Sequence, residues 1–316
     1  AIERPVFTVF TLLNGFHSHP AWSPWPSKDP LATRELSGPR SGPGARISWD
    51  GDPRMVGRGW QQIVASEPPS LVRSELSIDQ LGDATTWFLL DTVDGGTLVT
   101  WRFDTDLVAG QGFFGGILAR YFGLLFDRWI GGDFEAGLAA LKSYAESLPE
   151  IDFSDLDVSI VRAESMEILY VAVQSGRGAA DISASLASAY REITGFMADN
   201  GIARSAQPMA ITRARAEGGY EFDAAIPVEN RAAELSGNVR AGLSPSGLAV
   251  RVVHTGPYDR MAPSYEKLAA YMSAHGFKEG EVSWEHYISD PGETESDRIV
   301  THIYFLIAEP GQQSEP

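Results

Sequence analysis

The sequence predicts an α+β protein with two domains in series: a curved antiparallel sheet around one long helix, then a duplicated βαββ unit. Three observations favour this organisation. The first half alternates short β-rich runs with turn signals and closes with an amphipathic helix. The second half repeats itself at an offset of 75 residues. A chain of 316 residues is long for one domain and comfortable for two.

Short β-rich runs fill most of the first half of the chain. Glycine- and proline-rich turn signals separate them. The last two runs flank Asp94-Gly95-Gly96 and predict a hairpin. The predicted strands are Arg46–Trp49, Trp60–Ala65, Leu71–Ile78, Thr85–Leu90 and Thr97–Phe103.

A long helix is predicted to close this first domain, which spans residues 1–150. Apolar residues recur at spacings of four and three from Phe134 to Leu148 and form one stripe. Gly131-Gly132-Asp133 supplies a cap before it, and Pro149 ends it. We expect the helix to cover one face of the curved sheet.

The second domain, residues 157–310, is an internal duplication that follows an acidic linker at Glu150–Asp157. Its repeats span about 157–230 and 245–310, and each combines one strand, one helix and two further strands. Two repeats side by side predict one sheet with both helices on one face and the other, concave face open. The matching helix positions are Tyr190/Tyr265, Ile193/Leu268, Phe196/Tyr271, Met197/Met272 and Gly201/Gly276.

Strand alternation in the second repeat predicts a ligand site on the concave face. We place the aliphatic side chains, together with Trp284, under the helices. That assigns Glu285, Tyr287, His302 and Tyr304 to the concave face. A carboxylate among aromatic rings suits a lipophilic cation or an aromatic donor. From spacing alone, a half-exposed sheet face with ordinary polar residues is an alternative of equal weight.

The duplication is unequal at these positions. The first repeat contributes small groups that leave space, and Thr212 is the candidate ligand contact among them. The matching positions are Ala210, Thr212, Asp223 and Ala225. The same geometry permits acid–base catalysis by Glu285 with Tyr287 or Tyr304. Whether the chain is an enzyme is left open, and binding without turnover is the leading interpretation.

Tryptophan is frequent in the first domain, where a sheet gripping a helix leaves an apolar tunnel. Trp22 and Trp25 lie in a proline-rich segment, and we predict that they stand at the mouth of this cavity and bind ligand. Core packing is the interpretation for most of the other tryptophans.

Composition and motifs exclude several classes of function. The 25 basic and 42 acidic residues give a net charge of −17, from which we predict that nucleic acid is not a partner. Gly110–Gly115 fits G-x-G-x-x-G without a surrounding βαβ unit, so we predict no cofactor. His17 and His19 lack further ligands at suitable spacing, so no metal site is predicted.

The compartment and the oligomeric state are less determined by the sequence. The default prediction is a cytoplasmic protein, because no apolar run is long enough to span a bilayer. The chain opens abruptly on the apolar stretch Pro5–Phe10, so an upstream membrane anchor is the alternative. The oligomeric state stays open.

Residues 1–150 resemble the START/polyketide-cyclase-like helix-grip superfamily. This resemblance implies a hydrophobic ligand between sheet and helix, and no motif here carries the catalysis of a cyclase. The stretches that carry it are Trp22–Trp25, Gly42–Trp49, Gly95–Trp101 and Gly137–Lys142.

Residues 157–308 resemble the gyrase-inhibitor-like domain, which is also the effector-binding domain of multidrug-sensing transcription activators. His254–Tyr258, Glu285–Tyr287 with Asp290-Pro291, and Ile303–Phe305 carry this resemblance. It implies a pocket for lipophilic, often cationic compounds, and Tyr258 joins the candidate contacts. An acidic ligand contact falls on Glu285 and an aromatic one on Tyr304.

The activators of this family carry a helix-turn-helix where this chain has the helix-grip domain, which argues against transcription regulation. Some relatives are hydrolases that open strained rings. The function predicted from the sequence is therefore sequestration or sensing of small lipophilic, cationic or aromatic molecules, with a hydrolase or cyclase-like enzyme as the alternative.

Overall fold

The computed structural model describes residues 1–79, 82–105, 132–176, 178–216, 219–230, 234–278, 280 and 282–307. The chain divides into two compact units, Ala1–Ser154 with Ala270–Gly276, and Asp155–Ala269 with Phe277–Pro316. The described residues form two antiparallel sheets and several helices, which confirms the predicted α+β class. Gly110–Gly115 and the capping Gly131 lie outside the described residues.

The first unit contains a six-stranded meander in which each strand pairs with its neighbours in sequence. All five predicted strands are present, and the predicted hairpin is confirmed by the pairing of Leu90 with Val99. The first strand was missed because its side chains are all exposed and show no apolar alternation. The strands are β1 (Thr33–Ser37), β2 (Arg46–Asp50), β3 (Arg58–Glu67), β4 (Leu71–Ile78), β5 (Gly82–Val93) and β6 (Gly96–Thr105).

Four helices accompany this sheet in the described residues. They are α1 (Val6–Leu13), α2 (His19–Trp22), α3 (Trp25–Lys28) and α4, described over 132–147. The predicted stripe of α4 is confirmed, since Leu141 and Ala145 are fully buried in the core of this unit. At Gly137 the helix approaches the sheet so closely that a Cβ atom would lie 2.9 Å from the ring of Trp101.

The second unit contains an eight-stranded sheet with the order β11-β8-β10-β9-β13-β14-β12-β7. The central pairing of β9 with β13 joins the two repeats. Both repeat helices end at glycines in the left-handed region, Gly201 at φ 63° and Gly276 at φ 64°. The elements of residues 158–306 are β7 (Val158–Ala163), β8 (Glu167–Ser175), α5 (Ala179–Asp199), β9 (Met209–Ala216), β10 (Gly219–Pro227), β11 (Arg240–Leu243), β12 (Gly247–Thr255), α6 (Ala262–Ala274), β13 (Ser283–Tyr287) and β14 (Val300–Leu306).

Each βαββ repeat is preceded by a further strand that sequence analysis missed. β7 precedes the first repeat but pairs with β12 of the second. β11 precedes the second repeat but pairs with β8 of the first. The leading strands are therefore exchanged between the repeats, and each extends the sheet of the other.

The faces of this sheet differ from the sequence prediction in one respect. Directly opposed residues of paired strands share a face, and Glu285 opposes Ile303 while Trp284 opposes Tyr304. The face of Glu285 carries the helices, because Tyr265 of α6 donates a hydrogen bond to it. The placement of Trp284 under the helices, and of Glu285 and Tyr287 with His302 and Tyr304, was therefore wrong. We call the face of Trp284, His302 and Tyr304 the opposite face.

Among the described residues, no helix combines the length and the apolar character required to cross a membrane.

Candidate ligand-binding sites

Glu285 lies at the centre of the eight-stranded sheet, where the two repeats meet. It stands on β13 directly across from Ala210 of β9. Its counterpart in the first repeat is this same alanine, 75 residues earlier, so the duplication places one carboxylate beside one small side chain. On the helix-bearing face, the side chain that opposes the carboxylate is thus a single methyl group.

Two tyrosine hydroxyls hold the Glu285 carboxylate. Tyr265 of α6 donates to Oε1 at 2.5 Å, and Tyr287 of β13 itself donates to Oε2 at 2.8 Å. The Tyr258 ring packs edge-on against Tyr287, with centroids 5.4 Å apart. On α5, Tyr190 donates instead to the carbonyl of Met209 at 2.8 Å, because its own repeat lacks the carboxylate.

The electrostatics of these tyrosines reflect the charge of Glu285. Burial, and after it the negative charge of Glu285, raises the pKa of Tyr287 and of Tyr190 well above the usual value. The same two causes raise the pKa of Tyr258. These phenols therefore stay protonated at neutral pH, and among them Tyr287 donates to the carboxylate.

No lysine or arginine neutralises Glu285 within the part of the chain that the structure describes. Its hydrogen bonds there come from two uncharged phenols, and the described ion pairs involve other carboxylates. The cost of withdrawing a carboxylate from water falls when an opposite charge compensates it. The arrangement is thus suited to receive a positive charge from outside the chain.

The other predicted contacts of the second domain divide between the two faces. Thr212 shares the face of Glu285, because it opposes Ser283. His302 and Tyr304 lie on the opposite face and cannot join Glu285 in one site. Sequence reasoning missed Tyr190 and Tyr265 as site residues. The signal was present in their match at the 75-residue offset, which was interpreted as helix packing only.

The first unit contains a cavity of about 290 Å³ between the meander and the helices. Trp22 and Trp25 both line it, with Phe88, Trp101 and Phe134. The rings contact one another edge-on or tilted, with Trp22 and Trp101 centroids 6.0 Å apart and Trp101 and Phe134 centroids 4.5 Å apart. Ligand contact by Trp22 and Trp25 stays a prediction.

Two nitrogen atoms in the wall of this cavity lack hydrogen bonds. The Nε1 atom of Trp22 and the Nδ1 atom of His19 are buried and have no partner among the described residues. Burial, reinforced by the positive charge of Arg34, lowers the pKa of His19 to about 4. The imidazole is therefore neutral at pH 7. Near the cavity, Lys28 and Asp133 neutralise each other at 2.5 Å.

An aromatic cavity in one unit and a carboxylate among phenols in the other define a small-molecule-binding protein. Residues 1–146 match the family model described as polyketide cyclase/dehydrase and lipid transport, and residues 157–308 match the model of the GyrI-like small-molecule-binding domain. This confirms the fusion expected from the resemblances. The comparison with curated proteins finds no match.

Several solved structures are similar to part of this chain at low sequence identity. The chain in the EcmrR–DNA complex is 16% identical, with 62% of this chain and 72% of that chain covered and a TM-score of 0.44. SAV2435 bound to tetraphenylphosphonium is 12% identical, covering 48% and 94% with a TM-score of 0.36. A hydrolase from Listeria innocua is 12% identical, covering 48% and 91% with a TM-score of 0.35. At these identities the likeness concerns the fold alone.

One of these comparisons corrects the partner prediction. The acidic net charge led us to exclude nucleic acid, yet a chain of similar fold is described in a complex with DNA. The exclusion was therefore wrong as an inference from net charge. A total charge averages over the surface and over all domains of an assembly, whereas DNA contacts depend on local basic groups.

Proposed function

We propose that the GyrI-like domain binds a lipophilic cation at Glu285. The observation that carries this proposal is the partly buried carboxylate, held by Tyr265 and Tyr287, without a cationic partner among the described residues. The hydrogen bonds orient both carboxylate oxygens but leave the negative charge uncompensated. A ligand that carries a positive charge and packs on the aromatic rings gains binding free energy from both contacts.

Simple magnitudes support a cationic ligand over a neutral one. A unit charge 4 Å from the carboxylate gains about 4 kcal/mol at an effective dielectric constant of about 20. Contact with the faces of Tyr258 or Tyr287 adds about 0.5–2 kcal/mol. Desolvation of the ligand opposes both gains, and this cost is smallest for a bulky cation whose charge is shielded by apolar groups.

The experiment compares two probes of equal shape and opposite charge, tetraphenylphosphonium and tetraphenylborate, by isothermal titration. We expect wild type to bind the cation and to discriminate against the anion, and Glu285→Gln to lose most of this preference. Glu293→Gln is the matched control, since it removes the same charge from an exposed position. Equal binding of the two probes by wild type, or an undiminished preference in Glu285→Gln, would refute the proposal.

An enzymatic role of Glu285 is the second candidate function. It is favoured by the hydrogen bond from Tyr287, which can orient the carboxylate as an acid or base. Tyr304, the other partner considered, lies on the opposite face and is excluded from this role. Hydrolysis of a strained-ring electrophile by wild type and by Glu293→Gln, abolished in a Glu285→Gln variant whose circular dichroism spectrum matches that of wild type, would establish it. Binding of such electrophiles without turnover contradicts it.

We propose in addition that the first domain binds an uncharged, largely aromatic or lipid-like ligand in its 290 Å³ cavity. His19 is neutral and Lys28 is paired with Asp133, while Arg34, which also lines the cavity, donates to the backbone carbonyls of Pro26 and Asp29. A neutral fluorescent probe such as N-phenyl-1-naphthylamine should bind wild type and lose affinity in Ala84→Phe, which fills the cavity. Thr85→Phe, on the other face of the same strand, is the control.

The cytoplasmic location stays a prediction.

A further inference from the structure

The opposite face of the eight-stranded sheet carries a row of side chains that the cation site does not use. Across the strands, Trp284 opposes Tyr304, Tyr304 opposes Arg251, and Arg251 opposes Ser159. The rings of Trp284 and Tyr304 stack in parallel, with centroids 4.6 Å apart and planes at 2°. Arg251 therefore lies on the strand next to this stack, across from Tyr304.

Arg251 has no carboxylate partner among the residues that the structure describes. Its Nε atom is buried without an acceptor, and its side chain is partly buried. By contrast, Arg213 pairs with the buried Asp223 at 2.6 Å. Arg251 is therefore a partly buried positive charge that no described carboxylate compensates, in a chain with 42 acidic and 25 basic residues.

Further hydrogen-bonding groups surround the Arg251 guanidinium. Burial raises the pKa of Tyr304, while the charge and hydrogen bonding of Arg251 oppose the rise, which places the phenol beside the guanidinium. The Nδ1 atom of His302 lies 3.4 Å from the Tyr304 hydroxyl. Burial and then the charge of Arg251 lower the pKa of His302, and the exposed Asp157 acts in the other direction.

We propose that Arg251, Tyr304 and His302 form an anion site that binds a small oxyanion, a carboxylate or a phosphate group of a ligand. The guanidinium supplies charge and a planar set of donors that matches oxyanion geometry. The phenol and the imidazole add donors, and stacking on Trp284 fixes the plane of the Tyr304 ring. This site goes beyond the cation site, since it occupies the other face of the sheet and depends on different residues.

The test is a titration of the full chain with sodium benzoate and with sodium phosphate, against sodium chloride at equal ionic strength. Binding is followed by calorimetry and by the imidazole NMR signals of His302, assigned with His302→Gln. We expect saturable binding of at least one oxyanion, and a loss of about tenfold or more in Arg251→Met, the effect of one hydrogen bond to a charged group. Comparison of the two salts distinguishes a carboxylate from a phosphate ligand.

Arg240→Met is the matched control, because it removes the same charge from an exposed edge-strand position. It should leave oxyanion affinity within about twofold of wild type. If Arg251→Met does not fold, Tyr304→Phe gives the second measurement, with a smaller loss expected. No saturable response beyond that to chloride, or equal losses in Arg251→Met and Arg240→Met, would overturn the anion site. Glu285→Gln should bind the oxyanion normally, which separates the two proposals.

Discussion

His19 makes the stability of the first domain depend on pH in a direction that can be worked out from the structure. Its pKa is lowered from 6.5 to about 4, so the folded state favours the neutral ring. The stability that the neutral ring of His19 contributes is fully present above pH 6.5 and is lost as the pH falls toward 4. Integration of the proton linkage between pH 7 and pH 4.5 gives a loss of about 2 kcal/mol from this residue.

The perturbation is His19→Gln, which keeps a polar side chain that does not titrate. For a domain of this size, about 2 kcal/mol corresponds to a fall in melting temperature of roughly 4–8 °C. The assay is thermal unfolding followed by tryptophan fluorescence at pH 7 and pH 4.5. Carboxylates titrate in both proteins and lower both melting temperatures. The informative quantity is therefore how much further the melting temperature of wild type falls between pH 7 and pH 4.5 than that of His19→Gln.

The control is Ser27→Ala, an exposed change in the neighbouring helix α3. It should retain the wild-type pH dependence. If His19→Gln loses as much stability on acidification as wild type does, then His19 is not held neutral by burial, and our description of the cavity wall is refuted.

Three further predictions concern the site and the packing. Tyr287→Phe removes a donor to Glu285, and tetraphenylphosphonium titration should show a severalfold change in affinity, whereas unchanged binding would mean that this hydrogen bond does not orient the carboxylate. Ile193→Ala leaves a void under α5 and should cost about 2–5 kcal/mol in urea unfolding of the second domain; a cost below about 1 kcal/mol would contradict its burial. Gly137→Ala places a methyl group against Trp101 and should lower the melting temperature of the first domain; an unchanged melting temperature would contradict the close packing of α4 against this ring.

The duplication and the strands of both domains could be predicted from the sequence because periodicity and turn residues act locally. The five runs of the meander and the two glycine-ended helices are of this kind. β1, β7 and β11 could not be predicted in the same way. They are short, and their side chains carry little apolar alternation, so their existence depends on pairing with distant strands.

The faces of β13 show why the candidate site was only partly predictable. Alternation separates Trp284 from Glu285 correctly, but it does not say which set faces the helices. We chose Trp284 for the helices because it is apolar. Apolarity does not decide the matter here, since Trp284, Met209 and Ile211 form a buried cluster on the opposite face as well. The register with β14 decides it, and register is a property of the folded sheet.

The exchange of leading strands makes the two repeats of the second domain mutually dependent. A repeat produced alone would keep a leading strand with no acceptor, and its own sheet would end in an unpaired edge. Two such fragments satisfy each other by swapping these strands, so an isolated repeat should assemble as an intertwined homodimer. The single chain thus has the architecture expected if two copies of an ancestral self-associating half were joined end to end.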